Sequence, residues 1–325
     1  MKLGVIGGGA WGTALAQVAA SGDDEVLLWA REAEVVSSVN DARENSLFLP
    51  GIPLNPRIVA TADLQALGEC DACLVVTPAQ HMRSVLASLP VHDRPLILCS
   101  KGIEESSGLM MHDVAHQVRP DAPLAVLSGP TFAHEVAAGL PTAITLAAEE
   151  ELGERLARRL ARPSFRPYVS TDVIGAEVGG AVKNVLAIAC GVVEGMGLGL
   201  NARAALISRG FAEMSRFGLA LGARPETLAG LAGLGDLVLT CTSTNSRNFS
   251  LGKGIGEGAR AADLLAERRT VAEGAATAPV LRRVAERNSV EMPIVDAVCA
   301  LLEGRVSARD AVEMLLSRPL RPEGV

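Results

Sequence analysis

Short apolar runs alternate with segments of helical spacing along the first half of the chain. The runs are rich in Val, Ile and Leu, and several are apolar throughout, as is typical of parallel strands covered on both faces. The predicted strands are KLGVI (2–6), EVLLW (25–29), CLVVT (73–77), PLILCS (95–100), PLAVLS (123–128), TAITLA (142–147) and FRPYVS (165–170). This alternation predicts a parallel sheet built from βαβ units, and therefore a doubly wound α/β domain over residues 1–172.

A different pattern begins at about residue 173. The remaining sequence is rich in Ala, Leu and Gly, and it shows helical spacing over 202–222, 258–269 and 292–304. We therefore predict an all-helical second domain over residues 173–325. The boundary rests on the change of pattern alone, because no internal repeat or low-complexity linker marks it.

Composition narrows the possible partners. The chain has 325 residues, 49% of them apolar, and a formal charge of −7. This length suggests two domains of roughly 150 residues, each able to bury its own core. Since a phosphate backbone attracts a basic surface, the acidic balance argues against nucleic acid or anionic lipid as the main partner. A bound anion has to be held by a few local groups.

The sequence also bears on the compartment. Its start lacks the features of a secretory signal, and no window of about 18 residues is free of charge and Gly interruption. The best candidate span, Asn184 to Leu200, carries Glu194 and four glycines, so we expect no membrane insertion. Five of the six cysteines lie inside apolar sequence, which favours buried thiols in a reducing compartment and a cytoplasmic protein.

Two pairs of metal-binding residue types lack the partners that a metal site needs. Cys70 and Cys73 form a CxxC, but no second Cys or His pair stands at ligand spacing. His112 and His116 lie four residues apart without the carboxylate of an HExxH motif. We therefore predict no metal site, and we interpret the two histidines as part of an exposed helix face.

Gly7, Gly9 and Gly12 form a GxGxxG motif between the first predicted strand and the first predicted helix. The first glycine permits a tight turn, the second lets a pyrophosphate approach the backbone, and the third lets helix and strand pack closely. Strand, helix and second strand all lie within 29 residues, which is the context that the motif requires. The motif therefore predicts a Rossmann-type, dinucleotide-binding domain; the alternative is an ordinary glycine-rich turn.

The end of the second predicted strand bears on the choice of nucleotide. In the sequence WARE, Arg31 suits the 2′-phosphate of NADPH, whereas Glu32 suits the ribose hydroxyls of NADH. We favour NADPH and leave NADH open. The alternative is that Arg31 is a solvated surface charge.

Further candidates follow other predicted strands, since ligands gather at the carboxyl ends of parallel strands. Lys101 follows PLILCS, and the turn from Gly129 to Ala133 follows PLAVLS. Either segment could flank a nicotinamide ring, because loops at strand ends expose backbone donors. The alternatives are a surface lysine and an ordinary helix-entry turn.

Candidate chemistry in the second predicted domain centres on Lys183. It lies in the apolar segment GAEVGGAVKNVLAIACG, so a fold that buries it must supply a partner or lower its pKa. Such a lysine can donate and accept a proton; the alternative is a lysine that snorkels at a helix edge.

Two more candidates follow later in the second predicted domain. Asp236 follows a Gly-rich turn. Ser246, Arg247 and Asn248 offer donors that suit a small phosphate, or a cap for the next helix.

Eight motifs, spread from residue 7 to residue 274, carry a resemblance to a known family. They are GGGAWGTALA, NSLFLPG, SKGIE, SGPTFAHEVA, the VKN of GGAVKN, GLGDL, STNSRNFSLG and VAEG. Together they resemble bacterial NAD(P)-dependent glycerol-3-phosphate dehydrogenase. The resemblance implies reversible reduction of dihydroxyacetone phosphate to sn-glycerol 3-phosphate for glycerophospholipid synthesis. It also implies a helical domain similar to that of 6-phosphogluconate dehydrogenase, and a homodimer.

The resemblance assigns roles to individual residues. Lys183 is implied as the proton acceptor in alcohol oxidation and the donor in ketone reduction, with Lys101 and Asp236 in the same catalytic set. The implied substrate contacts are Lys101, Gly129, Thr131, Lys183, Asp236, Ser246, Arg247 and Asn248. Besides the three motif glycines, the implied contacts to NADPH or NADH are Ala10, Trp11, Arg31, Lys101, Ala133, Arg247, Val271 and Glu273.

Two positions depart from the family pattern. The family often has Ser where this chain has Ala10, which removes a hydroxyl from the phosphate turn. Many members have a second basic residue where this chain has Glu32, which weakens the expectation of a strict NADPH preference.

Two other functions stay open. One is a 3-hydroxy-acid dehydrogenase of the 6-phosphogluconate or hydroxyisobutyrate type, against which GLGDL and STNSRN argue. The other is a non-catalytic dinucleotide sensor, since fold does not fix function. The joint presence of Lys101, Lys183 and Asp236 argues against a sensor.

Overall fold

Eight strands form one sheet in the computed structural model, which describes residues 2–22, 24–90, 93–266 and 272–319. The strands are β1 (Lys2–Ile6), β2 (Glu25–Trp29), β3 (Ile58–Thr61), β4 (Ala72–Val75), β5 (Leu96–Leu98), β6 (Leu124–Ser128), β7 (Thr142–Ala148) and β8 (Phe165–Ser170). Their order in the sheet is β3-β2-β1-β4-β5-β6-β7-β8. The chain winds outward from β1 in both directions, which confirms the doubly wound α/β prediction.

Fifteen α-helices occur among the described residues. They are α1 (Ala10–Ala20), α2 (Ala33–Ser37), α3 (Ala79–Ala87), α4 (Met111–Val118), α5 (Ala133–Ala137), α6 (Glu150–Leu160), α7 (Val173–Gly195), α8 (Gly199–Ala220), α9 (Pro225–Ala229), α10 (Asp236–Cys241), α11 (Arg247–Gly256), α12 (Ala261–Ala266), α13 (Glu273–Arg287), α14 (Pro293–Leu302) and α15 (Ala308–Leu316). Shorter helical turns of other types cover Ser38–Ala42, Leu64–Glu69 and Leu231–Gly235. Within the described residues, helices and no strand follow β8, which confirms the predicted helical region.

One pair of strands departs from the predicted parallel arrangement. Strand β7 runs antiparallel to β6, whereas the other six neighbouring pairs are parallel. The connection from β6 to β7 contains only the five-residue helix α5. Five helical residues span about 7.5 Å, less than half the ~16 Å of a five-residue strand, so this helix cannot return the chain to the opposite edge of the sheet. The next strand therefore starts at the edge where β6 ends.

Packing divides the chain into two compact units. The first comprises Met1–Lys101 and Leu109–Ala176, and the second comprises Gly102–Gly108 and Glu177–Val325. In the first unit, a core of fully buried aliphatic side chains fills the space between the sheet and its helices, with Val5, Leu15 and Leu28 among them. The segment Gly102–Gly108, directly after Lys101, groups with the second unit. The functional boundary after residue 172 stays a prediction.

Glycines bring helices α7 and α11 of the second unit into backbone contact. A Cβ on Gly191 would lie 2.0 Å from the carbonyl oxygen of Phe249, and one on Gly252 would lie 1.9 Å from that of Ile188. Only a residue without a side chain allows this approach. The contact fixes α11 against the C-terminal half of α7, and both helices carry candidate site residues.

Helix α7 is long and apolar enough to cross a membrane by length and composition. However, 89% of its most apolar 18-residue window is buried inside the protein. A long, mostly apolar helix that is buried by protein is typical of the core of a globular domain. The stretch differs from the predicted best candidate, Asn184 to Leu200, because it starts at Val173 and ends at Gly195.

Candidate active site and nucleotide-binding turn

The turn between β1 and α1 has the backbone geometry of a phosphate cradle. Gly7 has a φ of +126°, and a Cβ there would lie 2.8 Å from the carbonyl oxygen of Val76. A Cβ on Gly12 would lie 1.9 Å from the carbonyl oxygen of Gly7. At Gly9, by contrast, a Cβ would meet nothing within 4 Å. Gly7 and Gly12 thus serve packing within the protein, whereas Gly9 faces open space at the start of α1.

Side chains around this turn hold it in place and leave the helix end available. Asn45 is fully buried, and its Nδ2 donates to the carbonyl oxygen of Gly8 and to Thr13 Oγ1, both at 2.8 Å. Helix α1 begins at Ala10, and no side chain caps its N-terminus. Free N–H groups and the helix dipole at such an end suit a pyrophosphate.

Three buried polar atoms near the carboxyl ends of the strands have no hydrogen-bond partner among the residues that the structure describes. They are Trp11 Nε1, Thr77 Oγ1 and Ser128 Oγ. Thr77 follows β4, and Ser128 ends β6. Buried polar groups are normally satisfied, so these atoms indicate polar contacts supplied by a bound molecule or by water. Together with the open face of Gly9, they fit a dinucleotide at this edge of the sheet.

Arg31 and Glu32 follow β2 and form an ion pair. The Arg31 guanidinium donates to Glu32 Oε1 from Nε at 3.2 Å and from Nη2 at 2.9 Å. Glu32 precedes helix α2 at its N-cap position but makes no side-chain cap there. Both side chains predicted to select the nucleotide therefore lie in direct contact with each other.

Lys101, Gly129 and Thr131 converge after β5 and β6. Lys101 Nζ donates to the carbonyl oxygen of Gly129 at 3.5 Å, and Thr131 Oγ1 donates to the same oxygen at 3.3 Å. Ala133 begins helix α5, whose N-cap residue is Phe132. The sequence predicts these residues at neighbouring strand ends. In the structure, Lys101 and Thr131 meet at the carbonyl oxygen of Gly129.

The second unit holds a buried ion pair. Lys183 Nζ donates to Asp236 Oδ1 at 2.6 Å, and the two side chains are 8% and 0% exposed. Thr240 Oγ1 donates to the same oxygen at 3.3 Å. Asp236 is thus the partner that a buried Lys183 requires, because an isolated ammonium in the interior is costly. An ammonium held in this way is placed to donate a proton, and its neutral amine is placed to accept one.

Residues near the start of α11 join the same region of the second unit. Asn248 Oδ1 accepts a hydrogen bond from the N–H of Gly274 at 2.9 Å. A Cβ on Gly274 would lie 2.5 Å from the carbonyl oxygen of Asn184, the residue after Lys183. Ser246 caps α11 by accepting from the N–H of Phe249 at 3.2 Å. The helix-cap alternative for this loop is therefore realised at Ser246, while the exposed Arg247 begins the helix.

The structure places the predicted site residues in two groups, each within one unit. The first unit holds Gly7, Gly9, Ala10, Trp11, Gly12, Arg31, Lys101, Gly129, Thr131 and Ala133, and the second holds Lys183, Asp236, Ser246, Arg247, Asn248 and Glu273. Val271 lies outside the described residues. Across the described parts of the chain, no group of three or more His, Cys, Asp or Glu side chains is placed to hold a metal ion.

Sequence reasoning missed Thr240 and Asn45. Thr240 lies four residues after Asp236 on one helix, a spacing that puts both on the same face and was a usable signal. Asn45 opens the motif NSLFLPG, but nothing in its local sequence links it to a turn near residue 9.

Family models match both halves of the chain. The model described as NAD-dependent glycerol-3-phosphate dehydrogenase N-terminus matches residues 2–153, and its C-terminus counterpart matches residues 172–313. Among similar curated proteins is glycerol-3-phosphate dehydrogenase [NAD(P)+] 1 of Sphingopyxis alaskensis, 63% identical over 99% of this chain and 98% of the relative. Glycerol-3-phosphate dehydrogenase [NAD(P)+] of Caulobacter vibrioides is 57% identical over 99% of this chain and 98% of the relative.

Solved structures agree with the family models. A glycerol-3-phosphate dehydrogenase structure from Coxiella burnetii superimposes with a TM-score of 0.93 at 38% identity, covering 98% of this chain and 99% of that one. A ketopantoate reductase from Ralstonia eutropha shares the fold alone, with a TM-score of 0.62 at 16% identity over 96% of this chain and all of that one. With both family models matched and full-length relatives above 55% identity, the chain belongs to the NAD-dependent glycerol-3-phosphate dehydrogenase family.

Proposed function

We propose that this protein catalyses the reversible, NAD(P)H-dependent reduction of dihydroxyacetone phosphate to sn-glycerol 3-phosphate. The observation that carries the proposal is the buried ion pair of Lys183 and Asp236 in the helical unit of a chain that belongs to this family. The lysine ammonium of this pair can donate a proton. Ketone reduction needs one hydride and one proton, and the bound nicotinamide supplies only the hydride. A side chain placed at the carbonyl oxygen can supply that proton as charge develops there.

Lys183 is the group that we assign to proton transfer. Its ammonium donates a proton to the substrate oxygen as negative charge develops there. Asp236 Oδ1, which accepts hydrogen bonds from both Lys183 and Thr240, orients the amine and balances its charge. In the reverse direction the neutral amine accepts the proton of the alcohol.

The remaining assignments concern binding. We assign the phosphate of the substrate to Ser246, Arg247 and Asn248, since a guanidinium beside hydroxyl and amide groups matches phosphate oxygens. Lys101, Gly129 and Thr131 complete the proposed substrate contacts. The turn at Gly7, Gly9 and Gly12, with Ala10 and Trp11, is assigned to the dinucleotide, as are Arg31, Ala133, Val271 and Glu273.

The context of the reaction is part of the same proposal. Residues 1–172 hold the nucleotide and residues 173–325 the catalytic lysine, in a cytoplasmic homodimer whose product feeds glycerophospholipid synthesis. Six free, buried cysteines support a reducing compartment. Light scattering on the purified protein tests the dimer, and a monomeric mass at assay concentrations contradicts it.

A steady-state assay tests the activity. Purified protein is mixed with dihydroxyacetone phosphate and NADPH or NADH, and loss of reduced-nicotinamide absorbance is followed. We expect substrate-dependent turnover with the triose phosphate and none with 6-phosphogluconate. Oxidation of 6-phosphogluconate without triose activity would contradict the substrate. Tight NADPH binding by calorimetry without turnover of either compound would instead indicate the non-catalytic sensor.

A further inference from the structure

A backbone contact accompanies the Lys183–Asp236 pair, about one helical turn before it. Gly179 lies on α7 four residues before Lys183, so both occupy the same face of this helix. Ala232 lies four residues before Asp236, in the helical turn Leu231–Gly235 that leads directly into α10. A Cβ on Gly179 would lie 2.0 Å from the carbonyl oxygen of Ala232. The same two segments therefore meet twice, through the backbone at Gly179 and through side chains at Lys183.

The contact at Gly179 cannot give way without a movement of the main chain. Gly179 and Ala232 are both buried. The three atoms nearest to an added Cβ are the carbonyl oxygen and carbon of Ala232, at 2.0 and 2.7 Å, and the Cα of Gly233, at 2.9 Å. All three are backbone atoms, so a side chain at position 179 would push the turn Leu231–Gly235 away from α7. The carbonyl oxygen of Ala232 would have to retreat by about 1 Å or more.

The turn before α10 is braced on its other side, so such a movement reaches Asp236. The N–H of Gly235 donates to the carbonyl oxygen of Gly230 at 3.0 Å, which closes a wide turn of the π type. Turns of this type are frequent at functional sites. A Cβ on Gly233 would lie 1.9 Å from the carbonyl oxygen of Leu228 in α9, so the turn also packs closely there. Asp236 follows Gly235 without a connecting loop and therefore moves with the turn.

We propose that Gly179 is a positioning residue for proton transfer: its lack of a side chain sets the spacing between α7 and the turn before α10, and thereby holds Asp236 at hydrogen-bond distance from Lys183. The inference rests on the proposed function, in which Lys183 is the proton donor. The distance from Lys183 Nζ to Asp236 Oδ1 is 2.6 Å. A displacement of ~1 Å takes it beyond the ~3.2 Å limit of a normal hydrogen bond. A misplacement of this size costs roughly 10²-fold in rate.

Two glycine substitutions with similar clashes test the proposal. Gly179→Ala adds a methyl group at the contact with Ala232. Gly195→Ala is the matched control, because a Cβ there would lie 2.2 Å from the carbonyl oxygen of Lys253, at the other end of the same helix. Each variant is also combined with Asp236→Glu, whose side chain reaches about 1.5 Å further. Melting temperature, Kd for NADPH and steady-state kinetics with dihydroxyacetone phosphate are measured for the wild type, the three single variants and the two double variants.

We expect Gly179→Ala to lower kcat by roughly 10- to 100-fold, while Kd for NADPH stays near the wild type and KM changes less than kcat. Asp236→Glu alone should also lower kcat, because the wild-type spacing leaves no room for the longer side chain. In Gly179→Ala the added length should reach Lys183 again, so the double variant should exceed Gly179→Ala in kcat by about threefold or more.

The control variant should behave differently in kinetics but not in stability. Gly195→Ala should lower the melting temperature as Gly179→Ala does, since both drive a methyl group into a carbonyl oxygen. Its kcat should stay within about twofold of the wild type. Adding Asp236→Glu to Gly195→Ala should lower kcat, as it does in the wild type.

Three outcomes would overturn the inference. A wild-type kcat in Gly179→Ala, or an equal loss of kcat in both glycine variants, would show that the contact serves the stability of the fold alone. A wild-type kcat in Asp236→Glu would show that the spacing of the pair does not matter, and this result holds even if Gly179→Ala does not fold. All three leave the proposed reaction intact, because the wild type still reduces the triose phosphate. A wild type without this activity would remove both the inference and the proposed function.

Discussion

At the scale of single residues, the Lys183–Asp236 pair combines a chemical role with a structural one. Both groups are nearly inaccessible to water, and the pair is joined at 2.6 Å. Removing one partner from a buried ion pair costs about 3–5 kcal/mol, because the other charge is left without compensation. Any single substitution here therefore changes stability as well as chemistry, and a test has to separate the two.

A single and a double variant separate the effect on stability from the effect on proton transfer. We expect Lys183→Met to lower kcat by about 10²–10⁴, the contribution of general acid–base help, and also to lower the melting temperature. Lys183→Met combined with Asp236→Asn removes both charges, so the melting temperature should recover while kcat stays low. Both variants should bind NADPH with near wild-type Kd in calorimetry. A wild-type kcat in either variant would remove Lys183 from its assigned role.

A second buried carboxylate, Glu213 on α8, has no place in the proposed reaction. Its two oxygens accept hydrogen bonds from the N–H groups of Ile294 and Val295, at 2.8 and 3.4 Å, at the start of α14. Burial raises the pKa of Glu213 to about 7, although these two hydrogen bonds and Arg216 act in the opposite direction. The charge of Asp296 adds to the increase.

This raised pKa predicts a pH-dependent stability. The folded protein binds a proton at Glu213 that the unfolded chain has lost, so the free energy of unfolding should fall as pH rises from about 4.5 to about 7, by about 3 kcal/mol in total. Glu213→Gln keeps an acceptor for Ile294 and cannot ionise, so it should flatten this slope and be more stable than the wild type at pH 8. Denaturant unfolding between pH 5 and 8 measures both effects.

Exposed Glu226, in the first turn of α9, provides the control. Glu226→Gln changes the net charge equally but should keep the wild-type slope. A wild-type slope in Glu213→Gln as well would show that Glu213 is not the titrating group.

At the scale of elements, local sequence predicts structure where one pattern dominates. Strands β1, β2 and β8 have the predicted bounds. Strand β3 was missed because it has four residues and only Ile58 and Ala60 are buried, too short a repeat to stand out from its Pro-containing surroundings. The reversed direction of β7 depends on the length of α5, which a sequence pattern does not fix to the nearest turn.

The glycine-rich turn gives a sharper prediction, because its glycines serve different purposes. Gly9→Ala places a methyl group in open space, so the unliganded melting temperature should stay near the wild type, while the methyl group obstructs the pyrophosphate and weakens NADPH by roughly tenfold or more. Gly12→Ala drives a methyl group into the carbonyl oxygen of Gly7, so it should destabilise the unliganded protein. Thermal denaturation without ligand and calorimetry with NADPH distinguish the two. Equal melting temperatures for the two variants would contradict this division of roles.

At the scale of the whole molecule, the sequence predicts which residues carry chemistry better than it predicts their partners. The need of Lys183 for a partner follows from its apolar neighbours alone. That Asp236, 53 positions away, meets this need depends on how α7 and α10 pack, which no local pattern encodes. The same holds for Asn45 and Gly8, which lie 37 positions apart. Residue types and motifs are local properties, whereas these contacts come from tertiary packing.

The six cysteines are spread over both units, so the exposure of their thiols reports on burial in each of them. The prediction that five of them are buried is confirmed, and the sixth is buried too, with all six thiols free. Burial raises the pKa of Cys99 and of Cys241, and raises that of Cys299 to about 11. Cys70 differs, because a hydrogen bond from the Cys73 thiol and the nearby charge of Lys2 lower its pKa.

Thiolate is the reactive form, so these surroundings predict an order of reaction with an aromatic disulfide reagent. The folded protein should react slowly, with Cys70 first. In guanidinium, the unfolded chain should react at all six thiols, measured by the absorbance of the released aromatic thiolate. Cys70→Ser should therefore remove the fastest step, whereas the matched Cys99→Ser should leave it in place. Fewer than six thiols in denaturant would reveal a disulfide. If the fastest step is still present in Cys70→Ser, solvent access rather than thiolate stability sets the order of reaction. The comparison is informative because the two side chains are almost equally buried: Cys70 is 1% exposed and Cys99 is 3% exposed.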